Sequence, residues 1–458
     1  AEYFRDDARN NIVMLDLKPY GFTKDFVAEK YAQNNINYST LIPLYIDGRV
    51  ATIARYPNES YAAIETGDII LVDEKAADVA DKYRTVVDVN DEVAERISGW
   101  HDVTTVFTLS RHSALWRPNN YRVFAVEGNT VTLPYGFTWY AESAYTTYKP
   151  RSGMPIVFEN IPEELDAPGE YYVDENAVLY IYKTENFSDA HISLPVSQSA
   201  FSVVGADCLT FKNMIIESFA ETALRVEADR FRLDGCEFRG MGTSAAEITG
   251  NGNTVTGCEF HDLGYGVLTM DGGDCDTLPR SESVISYNSF HDWGQVMPFY
   301  ESAVTLRGCG ITVSHNEMYN AGHQAVTWEG NYHVVEYNDI HDVCRDTDDA
   351  GAVYSYNSYA HYGNVFRYNY IHDIGLRDEF LANIKDYMYC GVSGIYWDGG
   401  KSGQTAEHNI LENISGTGIV ASGRDEVVTN NLFISCGWGV SMLATYWQGT
   451  FVSGTEKT

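Results

Sequence analysis

The sequence predicts an all-β protein: a right-handed parallel β-helix over residues 201–458, preceded by an antiparallel β-rich domain over 1–200. Three observations predict it. A pattern recurs with a base period of 22 residues from position 209 onward, each copy carries one column position that is almost always Asn or Cys, and the earlier part of the chain lacks that period while keeping the alternation of half-buried strands.

In the earlier part, the runs LIPLYIDGRVATIARY, TGDIILVD, NYRVFAV, NTVTLPY and GEYYVDENAVLYIYK are broken by Gly, Asn and Pro, which reads as antiparallel strands joined by turns. One helix is expected there, over DEKAADVADKYRTVV at 73–87, because acidic residues open it and suit a helix N-terminus. The polar start AEYFRDDARNN runs at once into the strand-like NIVMLDL, so upstream sequence is expected to be missing.

The nine repeat copies begin LTFKNMIIE, FRLDGCEFRG, NTVTGCEFHD, SVISYNSFHD, ITVSHNEMYN, HVVEYNDIHD, NVFRYNYIHD, QTAEHNILEN and EVVTNNLFIS. Their shared column is Met214, Cys236, Cys258, Asn288, Asn316, Asn338, Asn369, Asn409 and Asn431, at spacings of 22, 22, 30, 28, 22, 31, 40 and 22. An Asn at one position in every coil can hydrogen-bond the coils above and below. Each copy is followed by a second apolar run, such as AVTL at 303–306, AVTW at 325–328, AVYS at 352–355 and GIYW at 394–397. Units this rich in β-branched and aromatic residues, without long amphipathic stretches, exclude helical repeats. Extra residues in a solenoid must leave the stack as loops, so the insertions at 258–288, 288–316, 338–369 and 369–409 are expected to wall a cleft on one side.

Charge narrows the function. Asp and Glu number 64 against 31 Lys and Arg, a net of −33, so the surface repels phosphate backbones and anionic lipid, and neither nucleic acid nor membrane insertion is expected. Tyr is abundant, at 33 residues, which suits sugar stacking and packed β-structure equally. All eight Cys lie at or after Cys208 without CxxC or Cys/His spacing, so buried, reduced thiols are expected rather than a metal centre. No cofactor is implied. The acidic loop MDGGDCDTLPR at 270–280 does not match a calcium-loop spacing.

The densest chemistry lies in HDVCRDTDDAGAVY, 341–354, where Asp342, Asp346, Asp348 and Asp349 crowd a turn running into a strand. Crowded carboxylates raise one another's pKa, which lets one act as an acid while another stays ionised. Asp342 has repeat equivalents in Asp262, Asp292 and Asp373 and so reads equally as a turn residue, whereas Asp349 has none. Asp398, in SGIYWDGGKSG, ends the equivalent strand one coil on. Aligned strands put it seven positions from Asp349, about 23 Å if extended, so a turn must fold one toward the other. On the same face Glu301, His323, Arg307, Glu329, Arg345 and Asp348 offer groups to grip hydroxyls, and Tyr354, Tyr356 and Trp397 offer ring faces. An ordinary solvated polar rim reads the same way.

The segments DLKPYGFT, LYIDGRVATIARYPN, LDAPGEYYVDENAVLYIY, HQAVTWEGNYHVVEYNDIHDVCRDTDDAGAVY and GIYWDGGKSGQTAEHNILEN together resemble bacterial β-helix glycoside hydrolases, over nearly the whole chain. Two families are similar. Family 136, the lacto-N-biosidases that release lacto-N-biose from milk-type oligosaccharides, implies an acid/base and a nucleophile close in sequence, at Asp342 and Asp349. It also implies an N-terminal helical domain or separate subunit. Family 141, which includes xylanases and α-L-fucosidases, implies two aspartates on successive coils, at Asp349 and Asp398. Members of family 141 usually follow GAIY with Gly-Arg-Asp, where this chain has Tyr354-Ser355-Tyr356-Asn357, which tilts the resemblance to family 136. The expected activity is a retaining glycosidase with Asp349 as nucleophile, acting on an oligosaccharide or polysaccharide outside or on a bacterial cell. A polysaccharide lyase needs a basic, usually cation-assisted cleft, and a non-catalytic adhesin needs no carboxylate pair; both remain as alternatives.

Overall fold

A computed structural model describes residues 3–31, 43–117, 120–135, 149–356, 360–378, 383–384 and 391–443. The chain divides into two compact units, Ala1–Leu194 with Arg377–Met388, and Pro195–Leu376 with Tyr389–Thr458. Among the described residues no helix is long and apolar enough to cross a membrane.

The first unit is built from mainly antiparallel sheets. Ile12–Asp16 pairs with Val178–Tyr182, which pairs with Glu170–Val173. In a larger sheet Ala62–Leu71, Tyr83–Val89 and Thr130–Pro134 lie side by side, extended through Pro155–Glu159 to Phe107–Ser110. The helix expected over 73–87 is a correction. Only Val79–Lys82 turns helically, with Asp78 accepting from the Ala80 amide, and Tyr83–Val89 is a strand. Its alternation buries Thr85, Val87 and Val89, and that period of two prevails over the acidic opening. A longer helix, Asp91–Ser98, is capped by Asn90 and buries Val93 and Ile97.

The second unit is a right-handed parallel β-helix of three sheets. The first has ten strands, from Phe201–Val204 to Trp438–Met442; the second and third have nine each, from Thr210–Lys212 to Val427–Thr429 and from Ile215–Glu217 to Leu432–Ile434. Each strand pairs with its equivalent one coil away, so that Val304, Val326, Val353, Ile395 and Ile419 form one in-register row. Such rows fill the interior, and Phe238, Phe260 and Phe290 stack at 5.2 and 4.9 Å.

The Asn column is a hydrogen-bonded ladder. Oδ1 of Asn316 accepts the Asn288 amide at 3.0 Å, Asn338 does the same for Asn316, and the series continues through Asn369, Asn409 and Asn431. Each Nδ2 also caps a carbonyl, as Asn338 does for Val313 at 3.0 Å. The preceding residue is left-handed in each coil: Gly235 and Gly257 early, then Tyr287, His315, Tyr337, Tyr368 and His408 at φ between 56° and 58°. Non-glycine residues there carry strain, and the late ones stack ring on ring at 4.8–5.1 Å up the outside of the helix.

The turn from second to third sheet never lengthens; two residues separate Ser286 from Ser289, Glu336 from Asp339 and Glu407 from Ile410. The long connections lie instead next to strands of the first sheet, after Gly272 and Tyr356 and before Val304, Ala350 and Val392. Cys236, Cys258, Cys309 and Cys344 are buried, and the seven described cysteines are free thiols; Cys390 lies outside the described residues.

Candidate active site

Two adjacent strands of the first sheet are its longest, Ala350–Tyr356 and Val392–Asp398, seven residues each. Alternation sends Val353, Ile395 and Trp397 into the core and Tyr354, Tyr396 and Asp398 to the outer face. Pairing of the two strands is interrupted between Gly351 and Val353. A Cβ on Gly351 would lie 2.8 Å from the Tyr396 Cβ, so a glycine is what lets Tyr396 lie across the start of the neighbouring strand.

That crossing joins the two ends of the strand pair. The Tyr396 hydroxyl donates to Asp349 Oδ1 at 3.1 Å. Tyr354 donates to Asp398 Oδ2 at 3.1 Å, and the Gly399 amide donates to Oδ1 at 2.6 Å. The two tyrosine rings meet edge to face at 5.4 Å. Asp349 is held in the left-handed region at φ 48°, its amide bonded to the Gly391 carbonyl at 3.1 Å.

Burial raises both carboxyls above the usual range. For Asp349 the Tyr396 hydroxyl partly offsets this; for Asp398 the negative charge of Asp349 adds to it, against the Gly399 amide and the Tyr354 hydroxyl. Each carboxylate, once ionised, disfavours ionisation of the other.

Asp342 stands apart from this pair. Its Oδ1 accepts from Arg345 at 2.9 Å and its Oδ2 meets His341 Nδ1 at 3.0 Å. Asp262, Asp292 and Asp373 hold His261, His291 and His372 in the same way. The repeat-equivalent turn role therefore accounts for Asp342 and engages Arg345. Trp397, expected as a sugar platform, is a second correction: it is fully buried in the core beside Phe366, because it alternates with Tyr396. Asp348 and His323 are also buried, with Tyr300 5.2 Å from the His323 ring. Glu301 is half-buried, accepts the Gly266 amide at 2.7 Å, and is pushed up to about 7 by burial. Arg307, Glu329 and Tyr356 are exposed, at the edge of the sheet that also carries Asp398. In the 270–280 loop, Asp274 accepts the amides of Asp276 and Thr277, a self-capped turn.

The family described as a right handed beta helix region matches residues 277–434. Among solved structures, a glycoside hydrolase is similar at a TM-score of 0.59 and 14% identity, over 86% of this chain and 77% of its own. XylC in complex with xylose is similar at 0.39 and 11%, over 93% and 72%. The catalytic unit of a thermostable GH87 α-1,3-glucanase from Streptomyces thermodiastaticus is similar at 0.27 and 10%, over 91% and 98%. The first of these shares the fold; the other two fall below the likeness from which a shared fold can be argued. No curated protein matches the chain.

Sequence reasoning missed Tyr396, whose signal was available: placing Ile395 inward makes Tyr396 and Asp398 the outward pair. It also missed Lys401 and His361, which meet at 2.9 Å between a turn and a loop, and no motif announces them.

Proposed function

We propose that this chain is a retaining glycoside hydrolase whose reacting groups are Asp349 and Asp398. The observation that carries the reading is the tyrosine pair: Tyr396 donates to Asp349, Tyr354 donates to Asp398, and their rings meet at 5.4 Å, which gathers two desolvated carboxyls from successive coils into one cluster, as a pair of reacting carboxyls requires. Asp398, raised by burial and then by the charge of Asp349, serves as the acid and gives a proton to the glycosidic oxygen as the bond to the anomeric carbon breaks. Asp349 attacks that carbon to form a glycosyl ester. Water then attacks the anomeric carbon of that ester, Asp398 takes its proton, and Asp349 leaves as a carboxylate. Tyr354 and Tyr396 steady the carboxylates on a face where long loops can enclose a sugar.

A pair on successive coils is what the resemblance to family 141 implies, so the favoured substrates are xylan-type or fucoside-containing glycans. A lacto-N-biosidase reading asks for Asp342 beside Asp349, and the Arg345 and His341 bonds of Asp342 lend it no support. Such a substrate fits action at or beyond a bacterial cell surface. The test is proton NMR of the first product from xylo-oligosaccharides, aryl α-L-fucosides and lacto-N-type oligosaccharides. Retained anomeric configuration is expected; an inverted first product contradicts the mechanism, and an unsaturated uronate product points to a lyase.

A further inference from the structure

Next to the carboxylate pair lies a buried cation with a narrow job. Lys401 has no exposed surface, and its amide bonds the Asp398 carbonyl at 3.2 Å in the turn that follows the strand. Its ammonium has three donors and no acceptor, and its one hydrogen bond among the described residues runs from Nζ to His361 Nδ1 at 2.9 Å. The Trp328 ring centroid is 5.6 Å from Nζ, and the Glu329 carboxylate is the opposing charge. The His361 backbone is fixed as well, its carbonyl accepting from Gln404 Nε2 at 2.5 Å.

We infer that His361 is a sugar-contacting donor of this site, presenting Nε2–H to a substrate hydroxyl, and that Lys401 is the positioning residue that fixes its tautomer. An ammonium can only donate, so Nδ1 must carry the lone pair and the ring proton must sit on Nε2. The ring is half-buried, and no described group bonds Nε2. Its surroundings place it at the edge that carries Asp398, Tyr356 and Glu329, where hydroxyls beside a reacting carbon would fall. Between about pH 4 and 7 the imidazole is neutral while Lys401 is charged: burial, then the Lys401 charge, brings His361 down to about 4, and burial brings Lys401 to about 7. His333, the other imidazole nearby, is occupied, with Nδ1 accepting the Ile311 amide and Nε2 donating to the Glu329 carbonyl. The sugar contact rests on the glycosidase reading; the tautomer does not.

The experiment uses the full chain labelled with 15N-histidine at pH 6, with His361→Gln to assign the resonances. His361 is expected as the Nε2–H tautomer, and Lys401→Met should convert it to a mixture rich in Nδ1–H. A wild-type ring that is Nδ1–H or doubly protonated overturns the lock. On whichever aryl glycoside or oligosaccharide the wild type cleaves, His361→Ala should raise KM about three- to tenfold with kcat within about threefold, the loss of one hydrogen bond. His361→Gln, which keeps a donor, should recover most of that. An unchanged KM in His361→Ala overturns the sugar contact. A wild type that cleaves no sugar sinks the glycosidase reading and that contact together, while the tautomer spectrum still decides the role of Lys401.

Discussion

Asn338→Ala is expected to be among the most destabilising changes on the solenoid. The side chain is buried, and it makes four ladder bonds: Nδ2 to the Val313 carbonyl and to Asn369 Oδ1, and Oδ1 from the Asn316 amide and from Asn316 Nδ2, each at 3.0 Å. Truncation leaves the Asn316 amide, its Nδ2 and the Val313 carbonyl buried without those partners, since alanine offers nothing and the tight turn leaves little room for water. At about 1–3 kcal/mol for an unsatisfied buried group, and allowing for relaxation of the Asn316 side chain, the loss should be about 3–5 kcal/mol. Urea denaturation reads the global effect, and hydrogen exchange at the Asn316 amide reads the local one. A loss below about 1 kcal/mol with unchanged exchange at Asn316 would refute the claim that the ladder holds these coils together.

Three further outcomes follow from the same geometry. Gly351→Ala puts a Cβ 2.8 Å from the Tyr396 Cβ, so Tyr396 should be displaced and kcat should fall at least about tenfold while the circular dichroism spectrum is kept. Asp342→Asn should leave turnover within about threefold of wild type, because its carboxylate serves Arg345 and His341; a loss comparable to that of Asp349→Asn would return Asp342 to the reaction. Glu170, 3% exposed, is raised from 4.5 to about 7 mainly by burial. A raised folded-state value means its contribution is full below about pH 4.5 and lost as pH climbs through about 7, on the order of 3 kcal/mol. Glu170→Gln should therefore flatten the stability profile between pH 5 and 8, and an unchanged profile would contradict this.

The solenoid was legible because a stacked amide must recur at one height in every coil, and Asn288 to Asn431 does so whatever the loops insert. Loop placement was legible only in part: the insertions were expected on one side, whereas the long connections lie both before and after strands of the first sheet and spare only the turn that carries the ladder. The site was legible as residues and not as a pair. Counting seven extended positions kept Asp349 and Asp398 apart, but the link runs through a side chain: Tyr396 crosses the space that Gly351 leaves empty. The repeat equivalents of Asp342 were visible in the sequence, and they point to the turn role that its bonds describe. Trp397 was misread by composition, as an aromatic near carboxylates, where its place in the alternation sends it inward. The expected helix at 73–87 failed because charge at its start says less than a buried period of two in YRTVVDV. Lys401 and His361 belong to different loops, and their meeting depends on three-dimensional closure that no local pattern encodes.

The most direct measurement is the initial rate of hydrolysis of one cleaved glycoside by the wild type, Asp349→Asn, Asp398→Asn and Asp342→Asn under identical conditions, with folding confirmed for each. The account predicts that Asp349→Asn and Asp398→Asn each lose at least about a thousandfold in kcat while Asp342→Asn stays near wild type. Near-normal turnover by either Asp349→Asn or Asp398→Asn would contradict it.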